Sequence, residues 1–473
     1  MNASRRLALA LAIAVLGVAT LHDVTRLGDA LPWRQMYDFA DFYCAGQALD
    51  AYRDPYTYEP LHTCEQRLST AAIFRRDPAL AIPAPQPPYD FPAFMLLARL
   101  DFAQARALTA AAIVLATLLA MLALARTNVP LDVAVIVLAL PAGYVELNAG
   151  QIVPFALLFL TLAGAALVHR RDAVAGVCAA MTAIEPHLGL PVMLAALLFV
   201  PRARIATAVT LAGLAGIAFV KAGPALVLEY VQRVVPLQAA AEVRFPYQYS
   251  LTYALAAAGV PDALARSLGI ASFAGVVAIG LWFAVRLSRT LERRELLVFF
   301  PAATAVMAGA YVHVVELCFA IPAATVLAVT LRGWVRNASA AALCALMIPW
   351  IAVWSLKKLF ALSLLLCTLL LVRLQVEVFF AAGTLAALAA TMYAFELRPP
   401  VLPDAFGAAY RFAASDVVQT EWAAFVESLR TTNRWWLAIK IPVWAGLVTL
   451  LLAAAAQLRR PHAQDAVSIS RRI

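Results

Sequence analysis

The sequence contains few charged residues and none of the common motifs of soluble enzymes. Asp, Glu, Lys and Arg make up 14% of the 473 residues and hydrophobic residues 63%, whereas soluble domains carry about 25% charged residues. There is no GxxxxGK[ST] loop, no GxGxxG turn that opens a helix, no HExxH and no GxSxG. This composition predicts an all-α polytopic membrane protein and argues against the soluble nucleotide-binding and hydrolase classes.

The chain also lacks the cysteine and histidine spacings of metal sites. Its six cysteines form no CxxC pair, so neither a metal ion nor a cofactor is expected. Four cysteines lie in apolar blocks and suit small hydrophobic side chains. Cys44 and Cys64 both fall in a polar stretch near the N-terminus. They form a disulfide or remain free thiols, depending on whether this stretch faces an oxidising compartment.

The net charge of +9 comes from basic residues concentrated in the short connections and the tail. These residues are Arg5–Arg6, Arg170–Arg171, Arg202, Arg204, Arg286 to Arg294, Arg332 to Arg336 and Arg459–Arg460. Short cytoplasmic connections carry an excess of Lys and Arg in membrane proteins. The positive charge is therefore explained without a nucleic-acid partner, and it fixes the expected orientation.

The apolar blocks predict about 12–14 transmembrane helices in one domain that spans residues 1–473 of a plasma (inner) membrane protein. Leu7 to Leu21 follows a short basic start and predicts an uncleaved first helix with its N-terminus in the cytoplasm. Crossings are expected near 103–125, 130–147, 152–168, 205–220, 267–286, 295–311, 313–331, 338–354, 358–373, 375–395 and 436–456. Three extracytoplasmic loops are expected at 22–102, 222–266 and 396–435.

Residues 173–201 are flanked by basic residues on both sides, which a single crossing does not explain. Proline disfavours helix at the residue before it and removes a backbone donor. Glu185-Pro186-His187 therefore predicts a break between two helices of a hairpin, with Glu185 and His187 at its outer tip. Ionisable residues at membrane depth are functional candidates, although a satisfied structural pair at a kink also fits.

The first loop carries the acids Asp38 and Asp41, which are three residues apart and would share one face of a helical turn. They cap helices or pair with Arg34 and Arg53, or one of them is a carboxylate base at the membrane surface.

A second candidate group lies at the junction of two expected crossings. There Tyr311, His313 and Glu316 bring a histidine and a carboxylate to i and i+3. They either form part of a site or are interfacial residues satisfied by the backbone.

Several motifs, taken in order, resemble glycosyltransferase family 87 of the GT-C superfamily. The pieces are Asp41-Phe42-Tyr43 with Asp54-Pro55-Tyr56, Tyr89 to Pro92, Gly150-Gln151, Ala175-Gly176 through Glu185-Pro186-His187, and Tyr311 with His313 and Glu316. The sequence departs from the family pattern at four points. The serine-proline that precedes Tyr311 in the family is missing, and the second proline after Tyr89 is displaced. Glu185 stands where lysine is usual, and Glu316 stands where aspartate is usual.

The resemblance implies a GT-C-like bundle that transfers a hexose with inversion at the anomeric carbon. Mannose is the leading candidate for this hexose. The donor would be a polyprenyl-phosphate sugar, and the acceptor an extracytoplasmic glycolipid or glycan, in contact with membrane lipids. It assigns the catalytic base to Asp41 first and Asp38 second. Substrate-binding roles are implied for His313, Glu316, Tyr311, Gln151, Glu185, His187, Arg244 and Tyr89.

Two other classes fit the same sequence. A lipid or solute transporter, or flippase, would use Glu185 and His187 as an intramembrane relay. An inactive scaffold would keep the fold without the chemistry, as glutamate in place of lysine suggests. Large loops and few charges at membrane depth favour the enzyme over the transporter.

Overall fold

The computed structural model describes residues 3–28, 31–68, 80–355, 359–397, 416–428 and 434–459. These residues form helices joined by turns, and they contain no β-strand, only the isolated bridges Thr57–Val417 and Gln248–His313. The predicted third loop, 396–435, and the pair Lys357-Lys358 lie largely outside the described residues.

Within the described ranges, six helices are long and apolar enough to cross a membrane. They are Phe102–Ala125, Leu131–Ala149, Pro201–Lys221, Asp262–Thr290, Val378–Phe395 and Trp435–Arg459. Seven shorter apolar helices accompany them: Leu9–Val24, Val153–Val168, Asp172–Ile184, Pro186–Phe199, Leu296–Ala305, Val314–Thr330 and Phe360–Arg373. The less apolar helix Trp334–Met347 packs against Ile441–Arg459. The predicted class, an all-α polytopic membrane protein, is confirmed.

The expected boundaries near residue 310 were wrong. The helix Leu296–Ala305 ends well before residue 311, and residues 306–313 are irregular. Gly309 lies there with a φ of +135°, a backbone conformation that glycine adopts far more readily than other residues. The chain then forms a 3₁₀ turn at Val314–Ala320 before the helix Ile321–Thr330. His313 is therefore held on irregular backbone rather than inside a crossing.

Basic side chains join the connections at one end of the bundle. Arg294 pairs with Asp172 at 2.9 Å, and Arg293 donates to the carbonyl of Thr127 and the hydroxyl of Thr330. These bonds tie four connections together at the end opposite the polar loops. Positive charge gathers at this end, as expected for a cytoplasmic face.

Residues 172–199 fold back on themselves. Asp172–Met181 and Pro186–Phe199 are separated by a 3₁₀ turn at Thr182–Ile184 and by Glu185. A Cβ on Gly189 would lie 2.4 Å from the carbonyl oxygen of Thr182, so the two arms meet closely. Arms of 10 and 14 residues span about 15 and 21 Å, less than the ~30 Å hydrocarbon core. The tip of this hairpin therefore lies among the other helices.

The first polar loop is a folded layer of short helices. They are Pro32–Gln35, Phe39–Asp50, Tyr58–Leu68 and Phe91–Leu97. A disulfide joins Cys44 and Cys64, whose Cα atoms are 5.7 Å apart, which resolves the two options left open by the sequence. Gly46 lets the helix Phe39–Asp50 approach the backbone of Phe94, because a Cβ there would be 2.4 Å away.

The second polar segment packs against this layer. It contains Gly223–Glu229, a π-turn at Tyr230–Val234, Val235–Ala241, a 3₁₀ turn at Glu242–Arg244, and Leu251–Ala257. Tyr230 stacks on Tyr56 of the first loop, with ring centroids 6.0 Å apart. The helix Val418–Ser428 also contacts it, through Trp422 and Phe245. The polar segments thus form one layer over the end of the bundle that the hairpin tip approaches.

Candidate functional site

Asp38 is positioned by the turn at Gly150-Gln151. Its backbone N–H donates to the carbonyl of Ala149 at 2.7 Å, and its Oδ2 accepts a bond from Gln151 Nε2 at 2.7 Å. Gly150 has a φ of +78°, and a Cβ there would lie 3.0 Å from Met36. The glycine and the glutamine of this turn therefore fix the backbone and the side chain of Asp38.

The pKa of Asp38 is raised to about 6. Burial raises the pKa of Asp38, and the negative charge of Glu242 also raises it. The hydrogen bond from Gln151 and the charge of His313 lower it. A carboxylate with a pKa just below neutrality suits general-base work. Asp38 is also partly exposed, so a substrate can reach it.

Asp41 has different surroundings. It is 1% exposed, and burial together with the neighbouring carboxylate of Glu65 raises its pKa well above the usual range. Burial also raises the pKa of Glu65 to about 8, although the N–H of Ile82 donates to it. The structure therefore places Asp41 in a buried carboxyl pair inside the loop layer. Of the two aspartates, the geometry favours Asp38 as the base.

His313 lies at the centre of a network of carboxylates. Its Nε2 is 3.2 Å from Glu242 Oε2, and its Nδ1 is 3.3 Å from Glu316 Oε1. The bridge between Gln248 and His313 fixes the backbone on one side, and the His313 N–H donates to Glu316 Oε2 at 3.0 Å on the other. Both imidazole nitrogens are thus held toward acids on different parts of the chain.

Glu242 is a site residue that the sequence did not single out. Besides His313, its carboxylate accepts bonds from Gln238, Gln248 and Trp422 at 2.9, 3.1 and 2.7 Å. The side chain is 2% exposed. This network links the second polar segment, the helix Val418–Ser428 and the irregular segment 306–313 at one point.

The hairpin tip meets the same network. Nε2 of His187 is 2.9 Å from Glu316 Oε2, and the Tyr311 ring packs on His187 with centroids 4.9 Å apart. Glu185, His187 and Glu316 each offer one atom that could bind a metal, a carboxylate oxygen or a ring nitrogen. These three atoms lie within 4.8 Å of one another. These three residues, here called the tip triad, form a donor set that a divalent cation accepts.

Two further predicted residues lie in different settings. The hydroxyl of Tyr89 donates to the carbonyl of Ala183 at 2.6 Å, so the end of the first loop is attached directly to the hairpin. Arg244 donates two bonds to Asp262, at 2.9 and 3.0 Å, and both side chains are 43% exposed. The substrate-binding role of Arg244 stays a prediction, and its guanidinium pairs with Asp262 near the surface.

Glu146 is a second acid that the sequence did not single out. It is fully buried, and neither carboxylate oxygen has a hydrogen-bond partner among the described residues. It follows the π-turn Ala139–Tyr144, which contains Pro141. The charges of Glu185, Glu316 and Asp38 act on Glu146, so Glu146 lies close to the site.

An apolar groove of about 750 Å³ opens between the start of the first polar loop and the helix Phe102–Ala125. One wall is the helix Phe102–Ala125, and Trp33 and Leu147 contribute to the others. Arg34 and Arg106 are the charged residues in its lining. An apolar trough with basic residues fits a lipid chain that carries an anionic head group.

The fold is that of a polytopic membrane protein, and a family comparison of part of the chain supports a membrane glycosyltransferase. The sequence model of glycosyltransferase family 87 matches residues 86–312, which confirms the family indicated by the motifs and is consistent with the GT-C superfamily. The match includes Tyr89, Gln151, Glu185 and His187, and it ends one residue before His313. Searches among curated proteins and solved structures found no match.

Proposed function

We propose that the protein transfers a hexose from a polyprenyl-phosphate sugar to a glycolipid or glycan on the extracytoplasmic face of the plasma (inner) membrane. Mannose is the leading candidate for this hexose. One observation carries this proposal. A partly exposed carboxylate, Asp38, lies close enough to His313 for the charge of His313 to lower its pKa. A base and a histidine held between acids thus act on each other within one site.

Asp38 is the proposed base. The acceptor hydroxyl oxygen forms a bond to C1 of the sugar on the face opposite the phosphate, and its proton passes to Asp38. The bond between C1 and the phosphate oxygen breaks, and polyprenyl phosphate leaves with the electron pair. Because the phosphate is already a competent leaving group, one carboxylate suffices, and attack from the opposite face inverts the anomeric centre.

His313 and His187 face the phosphate side in this proposal. Both nitrogens of His313 are engaged by Glu242 and Glu316, and His187 Nε2 is engaged by Glu316, so the histidines would act on the phosphate through the positive charge that these acids favour. Positive charge that is fixed before the reaction stabilises negative charge where it develops. Tyr311, packed against both histidines at 4.9 and 5.8 Å, keeps water from one side of the site.

The apolar groove lined by Trp33, Arg34 and the helix Phe102–Ala125 would hold the chain of a lipid substrate. Its apolar wall lies on the helix Phe102–Ala125, which crosses the bundle. Arg34 and Arg106 line the same groove and suit an anionic head group. A lipid bound there would deliver its head group to the polar layer without leaving the bilayer.

The proposed orientation rests on two features at opposite ends. The disulfide Cys44–Cys64 lies in the polar layer, and disulfides persist in oxidising compartments. The connections at the other end are basic, as cytoplasmic connections are. With the four free cysteines replaced, a cysteine at the exposed Tyr52 should react with an impermeant maleimide in intact cells, while one at Arg170 should not. Labelling of Arg170→Cys alone would invert the orientation.

The function is tested by the lipids of cells that lack the gene. We expect an unused polyprenyl-phosphate hexose and a glycolipid or glycan shortened by one sugar. The wild-type gene should restore the normal pattern, and an Asp38→Asn gene expressed at equal level should not. An unchanged lipid and glycan profile would contradict the proposal. A defect that Asp38→Asn corrects as well as the wild type does would favour a transporter or scaffold.

A further inference from the structure

The tip triad has the geometry of a metal site. His187 Nε2 and Glu316 Oε2 are 2.9 Å apart, and all three ligand atoms lie within 4.8 Å of one another. In an octahedral site with bonds of 2.0–2.1 Å, neighbouring ligand atoms are about 3.0 Å apart and opposite ones about 4.2 Å apart. The triad can therefore converge on one ion with small side-chain movements.

Glu185 is buried beside another acid. The residue is 8% exposed, the charge of Glu316 opposes its charge, and the charges of His187 and His313 favour it. A buried carboxylate is strongly unfavourable unless donors or cations compensate it. Its position next to His187 and Glu316 directs it into the space that the triad shares.

Glu146 adds a second, independent observation. Both of its buried carboxylate oxygens lack a partner, and its charge and that of Glu185 act on each other. Asp38, Glu242 and Glu316 are further acids at the same site. Among the described residues, the basic groups that hydrogen-bond within this network are the imidazoles of His187 and His313. Carboxylates outnumber these bases, so a cation is the complementary ligand.

The backbone and the neighbours hold the triad ready. Glu185 and His187 flank Pro186, which starts a helix directly after the break in the hairpin. Tyr311 packs on the His187 ring, and His313 bonds the oxygen of Glu316 that does not face His187. Outer partners of this kind orient metal ligands and tune their affinity.

We propose that Glu185, His187 and Glu316 bind one divalent cation that prefers oxygen and imidazole ligands, with Glu146 close by as an outer carboxylate. Mg²⁺ and Mn²⁺ belong to this class, because both accept carboxylates and keep water molecules in the remaining positions. On the proposed function, one of these positions would be open to a phosphate oxygen of the sugar donor. The cation would then supply positive charge that the acidic site otherwise lacks.

Mn²⁺ is the probe for the test. The purified full-length protein, stripped with a chelator, is titrated with Mn²⁺, and the free ion is followed by electron paramagnetic resonance. We expect one saturable site per chain, with nitrogen coupling from an imidazole in the bound spectrum. Glu185→Gln should weaken binding by about 10-fold or more, and His187→Gln should also remove the nitrogen coupling.

Glu65→Gln is the matched control, because Glu65 is a buried acid in the loop layer that hydrogen-bonds Ile82 instead. It should bind Mn²⁺ as the wild type does, and all variants should elute as the wild type does in size-exclusion chromatography. Absence of saturable binding, or equal binding by wild type and Glu185→Gln, would overturn the proposal. Sugar transfer that persists in chelator without Mn²⁺ binding would overturn this site and leave the proposed function. Binding of Mn²⁺ without any sugar transfer would support the metal site and contradict the proposed function.

Discussion

Replacing Asp38 by Asn isolates the chemistry of the proposed base from its geometry. The asparagine oxygen can still accept the bond from Gln151 that Asp38 accepts at 2.7 Å, so the fold of the turn should persist. The amide cannot take a proton. With a pKa of about 6, Asp38 is largely ionised at neutral pH and ready to act.

General-base catalysis supplies about 10²–10⁴-fold, which corresponds to about 2.7–5.5 kcal/mol of transition-state stabilisation. We expect Asp38→Asn to lower sugar transfer by that factor in membranes given radiolabelled polyprenyl-phosphate hexose. Asp41→Asn is the control, because Asp41 lies in the buried pair with Glu65. It should lower transfer by less than about tenfold, or 1.4 kcal/mol. Full activity in Asp38→Asn with loss in Asp41→Asn would refute the assignment and return the role to Asp41.

Three further predictions concern pH, buried acids and the disulfide. Transfer should rise with pH around a midpoint near 6, and Gln151→Leu should move the midpoint upward, because the lost hydrogen bond no longer lowers the pKa of Asp38. Burial raises the pKa of Glu65 from 4.5 to about 8, so the folded state keeps a proton that the unfolded chain releases above pH 4.5. Stability should therefore fall as pH rises through this window, by up to about 1.4 kcal/mol per pH unit, and Glu65→Gln should flatten the fall of Tm. The double replacement Cys44→Ser, Cys64→Ser should destabilise the loop layer by about 2–4 kcal/mol, measured as a lower Tm.

Each of these predictions has a contrary outcome. A midpoint that Gln151→Leu leaves unchanged would separate the pH dependence from Asp38. A Tm that falls with pH as steeply in Glu65→Gln as in the wild type would assign the dependence to other groups. Equal Tm values with and without the two cysteines would mean that the disulfide does not constrain the loop layer.

The sequence was sufficient for features that depend on local pattern. Apolar blocks of membrane length predict the helical class, and Pro186 predicts the break in the hairpin, because both effects act over a few neighbouring residues. The Gly150-Gln151 pair also marks a real constraint, since Gly150 has a φ of +78° and a Cβ there would lie 3.0 Å from Met36.

The site itself depends on contacts that no local pattern encodes. Glu242 meets His313 across 71 residues and Trp422 across 180, so nothing near Glu242 in the sequence indicates its role. The spacing of Asp38 and Asp41 suggested one shared face, but the helix begins at Phe39 and Asp38 precedes it. Asp38 therefore bonds the turn at Gln151, while Asp41 packs inside the loop layer. Arg244 pairs with Asp262, 18 residues further along the chain, a partner that the local sequence pattern does not indicate.

Reconstitution of the purified protein tests the central claim most directly. Proteoliposomes receive polyprenyl-phosphate hexose labelled in the sugar, together with an acceptor lipid extract, and both products are counted. The account predicts that one polyprenyl phosphate is released for each sugar transferred, that the new linkage is inverted, and that Asp38→Asn stops both. Transfer from a nucleotide sugar but not from the lipid donor, or no transfer by the wild-type protein from any polyprenyl-phosphate hexose, would contradict it.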